Sequence, residues 1–198
     1  MTIPTRDTDT GCSATVHGCR FYSSITFLDF FQDDYDIKLE IARVQSFNAS
    51  VYKYLKADFV LYNRTERVLN ASWEQIVDLG SDIMLEVQLY KFVSNEYRFF
   101  PVFVTVNPCS EFSRNTFGAK TIFSKTSNID PCNMKKSIYH VRNAVPDSSK
   151  FPPHLPHGKY EILCTFTYYS YELSVIEFYV EFIDKPVDWR KIPKRNRH

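Results

Sequence analysis

Glycine is scarce in this chain, at 5 of 198 residues, and Met (3) and Trp (2) are rarer still. No Gly-rich phosphate loop occurs, nor Gly-x-Ser-x-Gly, nor His-Glu-x-x-His. Those patterns bring a nucleophile, a phosphate or a metal to a reacting centre. Scattered Ser, His and Asp residues do not replace them, because catalysis needs a nucleophile beside an oriented base or a paired carboxylate. The chain therefore reads as non-enzymatic, with no catalytic residue and no cofactor.

An excess of one charge is also lacking. Lys and Arg number 24 against 23 Asp and Glu, a formal net charge of +1. That balance gives no field for nucleic acid. The one lopsided stretch is Lys185 to His198, expected as a solvated basic tail. Long apolar runs are absent too: Phe99 to Val106 has strand length, so no transmembrane segment is expected. Met1 to Thr10 is polar, without the apolar centre of a leader.

No Cys-x-x-Cys occurs, and no histidine pair adjoins a cysteine pair, which leaves no zinc pattern. Five cysteines, Cys12, Cys19, Cys109, Cys132 and Cys164, cannot all pair within one molecule. Cys109 and Cys132 each follow a proline and bracket a polar segment, which makes them the best disulfide candidates. Closing such a loop contributes roughly 3 kcal/mol. Cys164 lies in an apolar strand and reads as a buried free thiol. His154 and His157 have no third ligand near them and read as exposed loop residues; His140 reads as a wall residue within a strand.

What is present is aromatic. Phe (17) and Tyr (13) dominate the 16% of aromatic residues, and both favour strands around a bulky interior. Ile37, Leu39 and Ile41 alternate with Asp36, Lys38 and Glu40, the pattern of a half-buried strand. Val51 to Asn63 reads as a second strand and Arg67 to Ser72 as a short edge strand. Ile83, Leu85, Val87 and Leu89 form one face of the next. Tyr97 to Val106 is apolar on both sides, like a central strand, but Pro101 argues for a bulge or an edge. Pro108 to Lys120 reads as a short helix with Phe112 and Phe117 inward, followed by a strand over Ser137 to Val141. Tyr160 to Tyr168 and Ile176 to Phe182 form a closing hairpin around Tyr169-Ser170-Tyr171. Together these predict an all-β fold: an antiparallel, immunoglobulin-like β-sandwich with at most one short helix.

Three sequons occur, at Asn48, Asn63 and Asn70, against about 1.5 that composition gives by chance, a weak excess by count. All three fall at expected strand ends or turns, which supports glycosylation if the chain is secreted. Gly158 is expected at positive φ, turning a proline-rich loop into the strand from Tyr160. The Phe-rich faces read equally as a packed core or as the wall of a cavity, since alternation does not distinguish them.

Several stretches resemble one known group. Tyr62 to Thr65, Val68 to Ser72, Tyr97-Arg98, Pro108 to Phe112, Asp130-Pro131-Cys132 and Leu155 to Tyr160 occur in that order. The series resembles insect secreted proteins that include the chemosensory protein B family. These are similar in turn to ganglioside activator proteins and the ML lipid-recognition superfamily. The similarity covers about Tyr35 to Asp184. It implies an ML-type β-cup that binds acyl chains or hydrocarbons, used in taste or pheromone detection. Cys109 and Cys132 match the family's central cysteine pair, and Asn63 and Asn70 match positions where relatives carry sequons. The family begins with a signal peptide, whereas Met1 to Asp34 has none, so this segment is expected to be a disordered extension or a mispredicted start.

The expected organisation is an extension over 1–34, a lipid-binding sandwich over 35–184 and a basic tail over 185–198. The expected function is that of a secreted carrier of a lipid or small hydrophobic ligand, with Phe59, Leu85, Phe103, Phe166 and Phe178 as wall residues. A sensory receptor or ion channel is a further expected partner. The alternative is a secreted interaction or co-receptor module with a filled core; an intracellular β-protein with free thiols ranks third.

Overall fold

The alternating segments form eight antiparallel strands in a computed structural model that describes residues 31–186. They are β1 (Tyr35–Phe47), β2 (Tyr52–Leu61), β3 (Arg67–Gln75), β4 (Ile83–Val93), β5 (Glu96–Val106), β6 (Ser137–Ala144), β7 (Gly158–Tyr168) and β8 (Tyr171–Asp184). Two helices, α1 (Pro108–Arg114) and α2 (Ala119–Thr126), follow β5. The strands make a five-stranded sheet, ordered β1-β8-β7-β4-β5, and a three-stranded sheet, ordered β2-β3-β6. The fold is an all-β sandwich. Among the described residues no helix is long and apolar enough to cross a membrane.

Inward faces follow from register. Tyr160, Ile162 and Cys164 on β7 stand opposite Val180, Phe178 and Ile176 on β8, and the buried members of these pairs point to the other sheet. Phe59 on β2 crosses the gap to Phe178, with ring centroids 5.7 Å apart. One buried cluster collects Tyr35, Leu39, Phe59, Leu89, Tyr160, Val180 and Phe182. A second, at the other end of the sandwich, collects Tyr52, Leu79, Ile83, Met134, Tyr139 and Leu173.

Several sequence expectations change on inspection. Ile41 does not continue the inward face of Ile37 and Leu39. A bulge between Leu39 and Ile41 hands that role to Ala42, which is buried, while Ile41 turns out. β3 extends to Gln75 and is the centre of its sheet rather than a short edge. β5 is an edge strand, not a central one, and Pro101 lies in the interval where its register against β4 slips. Proline removes a ladder donor, and a slip on an edge tolerates that loss.

The single expected helix is two. Asn107 caps α1 by accepting from the Ser110 N–H at 3.0 Å, with Pro108 opening the first turn. Asn115 ends it in the left-handed region (φ 57°), and Phe117 repeats that conformation (φ 53°) inside the turn that follows. Two such residues in three positions break the helix.

The domain also takes in residues beyond its expected limits. Gln32, assigned to the extension, is 3% exposed. Its Oε1 accepts from the Asp34 and Tyr35 N–H groups, and its Nε2 donates to the Tyr35 and Ser148 carbonyls. Lys185, assigned to the tail, pairs with Asp33 at 3.0 Å and Asp36 at 3.3 Å. Residues 1–30, with Cys12 and Cys19, and residues 187–198 lie outside the described residues.

Candidate functional site

Beside the first cluster the sheets do not fully close. A cavity of about 230 Å3 is lined by sixteen residues, six of them Phe and none with a polar side chain. Its floor is strand-built: Ile37 and Leu39 from β1, Phe59 from β2, Leu69 from β3, Ile162 from β7, and Phe178, Val180 and Phe182 from β8. Its roof is not. Phe117 and, from α2, Ala119, Ile122 and Phe123 close one side, and Val145, Pro146 and Phe151 of the β6–β7 loop close the other.

Both roof segments are tied at their bases. Cys109 in α1 is bonded to Cys132 with Cα atoms 4.6 Å apart, so the helical excursion between β5 and β6 is clamped near both ends. The loop is held by phenols: Tyr35 donates to the Pro152 carbonyl at 2.7 Å and Tyr160 to the Pro156 carbonyl at 2.8 Å. Burial pushes both hydroxyls' pKa values up, so they stay protonated donors at physiological pH. Gly158 (φ 123°) then turns the loop into β7, as its position predicted.

Chemically the cavity offers only shape and carbon. Water gains nothing there, because it needs two or more polar partners, and apolar cavities near 150 Å3 stay dry yet accept small hydrocarbons. The volume falls below the roughly 300–1,000 Å3 of sites for drug-sized ligands. It fits a short hydrocarbon, a single ring system or the end of an acyl chain.

Of the five wall residues expected from sequence, Phe59 and Phe178 line the cavity and three do not. Phe166 faces inward but packs on the second cluster, in the filled half of the sandwich. Leu85 pairs with Phe166 across β4 and β7, so it faces the same way and lies outside the cavity lining. Phe103 is 51% exposed: it stands opposite Gln88 on the outer face, as alternation from the inward Phe100 and Val102 requires. Gln88 in turn donates to the Leu89 and Phe100 carbonyls at 2.7 and 2.8 Å, satisfying backbone that the slip frees.

Phe117 was expected to point inward and does line the cavity, but the part of the wall built by α2 was missed. Its signal was present, because Ala119, Ile122 and Phe123 recur at the three- and four-residue spacing of one helix face. The remaining expected residues have plain positions. Cys164 is buried and free, its thiol pushed up to about 12 by desolvation. His154 and His157 each sit beside a carboxylate, Asp34 at 3.0 Å and Asp184 at 3.3 Å. His140 belongs to the outer face of the smaller sheet rather than to the cavity wall. Asn48 and Asn63 lie in turns, but Asn70 lies inside β3 and not at a strand end.

Residues 85–162, from β4 through the roof helices to β7, match a family model described as "Protein of unknown function (DUF1091)". No curated protein matches the chain. Over those residues the chain is thus similar to a family whose function its own description leaves open, on a β-rich fold compatible with an ML-like domain.

Proposed function

We propose that this protein is a secreted, non-enzymatic carrier of a small apolar ligand, held between the sheets under the roof formed by Phe117, α2 and the β6–β7 loop. The observation that carries this reading is the all-carbon lining of the cavity. Burial of alkyl surface there yields about 25 cal/mol per Å2, with no polar group left unpaired. The disulfide supports an oxidising, extracellular setting. The resemblance to insect chemosensory proteins supports a finer version, in which the ligand is a taste or pheromone compound delivered to a sensory receptor or channel.

The test is titration of the purified full chain with N-phenyl-1-naphthylamine. Saturable enhancement of its fluorescence, displaced by medium-chain hydrocarbons, is the expected result. A flat titration of folded protein with this probe and with the smaller naphthalene removes the carrier reading.

A second reading draws on the outer face of β5, where Phe99 and Phe103 are 66% and 51% exposed. Adjacent exposed aromatics of this kind suit protein contact, so an interaction module is the alternative if the cavity takes no ligand.

A further inference from the structure

The outer face of the smaller sheet carries an open groove of about 450 Å3, separate from the apolar cavity. Register sets Lys56, Ser72 and His140 in one row across it and Asp58 beside Asn70 in the next. At that point β6 bulges: Leu69 pairs with Ala144 while Ala71 pairs with Val141, and Asn143 takes a left-handed φ of 55°. The N–H of Asn143 that leaves the ladder donates to Asn70 Oδ1 at 2.7 Å.

This bond fixes the planar amide of Asn70. A backbone N–H requires the oxygen there, so the nitrogen is the other end. Nδ2 has no partner among the described residues, and its residue lines the groove. Asn63 differs: its Nδ2 is held by Glu66 Oε2 at 2.6 Å, and its Oδ1 closes a turn. Asn48 also serves a turn, accepting from the Ser50 N–H, and lies outside the groove.

We propose that Asn70 carries an N-linked glycan and that this groove seats its first sugar rings. The inference rests on the secretion part of the reading above and is independent of the ligand. In the secretory pathway the donor is an isoprenyl-pyrophosphate-linked oligosaccharide. The bond from C1 of its first sugar to the pyrophosphate oxygen breaks, a bond from C1 to Asn70 Nδ2 forms, Nδ2 gives up one proton, and isoprenyl pyrophosphate leaves. The Asn70-Ala71-Ser72 triplet is the acceptor pattern.

The groove suits the attached sugar. Among the described residues, the side chains of Lys56, Asp58, Ser72, His140 and Arg142 make no hydrogen bond or ion pair within the chain, so their donors and acceptors are available. Two fixed cations against one carboxylate, with a hydroxyl and amides between, match a neutral hydroxyl- and acetamide-bearing ligand better than a polyanion.

The test uses the full chain secreted from cultured insect cells, with glycopeptide mapping of all three sequons. Native and denatured protein are then treated with peptide N-glycosidase. The expected result is sugar on Asn70 that is released at least tenfold more slowly from native than from denatured protein. Replacing Lys56, His140 and Arg142 together by Ala restores fast release while the thermal midpoint holds. Sugar on Asn48 or Asn63 with Asn70 bare overturns the inference alone. Equal native release from parent and triple variant overturns the seat. No sugar on any sequon of the secreted chain overturns this inference alone, whereas a full chain that never reaches the medium overturns the secretion reading and this inference with it.

Discussion

Phe117 and Phe151 meet with ring centroids 5.1 Å apart, joining the helical half of the cavity roof to the loop half. The two rings come from segments anchored separately, one by Cys109–Cys132 and one by the phenols of Tyr35 and Tyr160. Phe117 reaches this contact from a left-handed backbone (φ 53°) that a bulky residue adopts only under constraint. On the carrier reading, ligand would exchange through the seam between them.

Phe151→Ala removes one side of that seam. An aromatic pair is worth about 0.5–1.5 kcal/mol beyond its buried area. Dissociation of N-phenyl-1-naphthylamine, followed by stopped flow, is therefore expected to be roughly 2- to 10-fold faster than from the parent. Unchanged dissociation places the exit elsewhere.

The disulfide closes a separation of 23 residues. Cys109→Ser with Cys132→Ser should remove roughly 3 kcal/mol. For a domain of this size the thermal midpoint falls by about 6–12 °C. Cys164 gives the internal control, because burial pushes its thiol to about 12. Peptide mapping after iodoacetamide at pH 8 should find Cys164 unmodified in folded protein and alkylated only in denaturant. Labelling of native Cys164, or a midpoint unaffected by loss of the bridge, contradicts this arrangement.

Glu161 lies on the outer face of the larger sheet, paired across strands with Tyr179 and Tyr90. Desolvation, then the neighbouring Glu177 carboxylate, push its carboxyl above the ordinary value, and Tyr179 and Arg43 offset part of the shift. The folded chain thus holds this proton more tightly than the unfolded chain. The associated stability is fully present below the unfolded pKa and is lost as pH rises through the folded one. Glu161→Gln should raise the melting midpoint at pH 7, and the advantage should vanish below about pH 4. A variant less stable than the parent at pH 7 would mean that the charge is held favourably.

How much of this could be read in the chain depends on where local pattern rules. β7 and β8 were legible because their alternation runs almost unbroken, and Gly158 because only one conformation suits its loop. Cys109 and Cys132 stood out by their shared Pro-Cys setting. Facing was lost for two different reasons. Phe103 points out by plain alternation from the inward Phe100 and Val102, since the slip at Pro101 adds two residues and keeps parity, whereas the bulge after Leu39 sends Ile41 outward. An inserted residue inverts every side chain beyond it, and no composition marks the insertion. Phe166 was placed on the right face but in the wrong half, because alternation fixes direction and not position along the sandwich. The helical wall was hidden by Asn115 and Phe117, whose left-handed conformations no propensity rule assigns to a phenylalanine.

The most direct test of the central claim is organic extraction and mass spectrometry of the secreted full chain, beside an Ala144→Leu variant that fills the cavity from its β6 wall. The account predicts close to one equivalent of a small apolar compound from the parent. It predicts none from a variant whose melting midpoint is equal or higher. Folded parent protein that yields nothing, or a variant that yields as much as the parent, would contradict it.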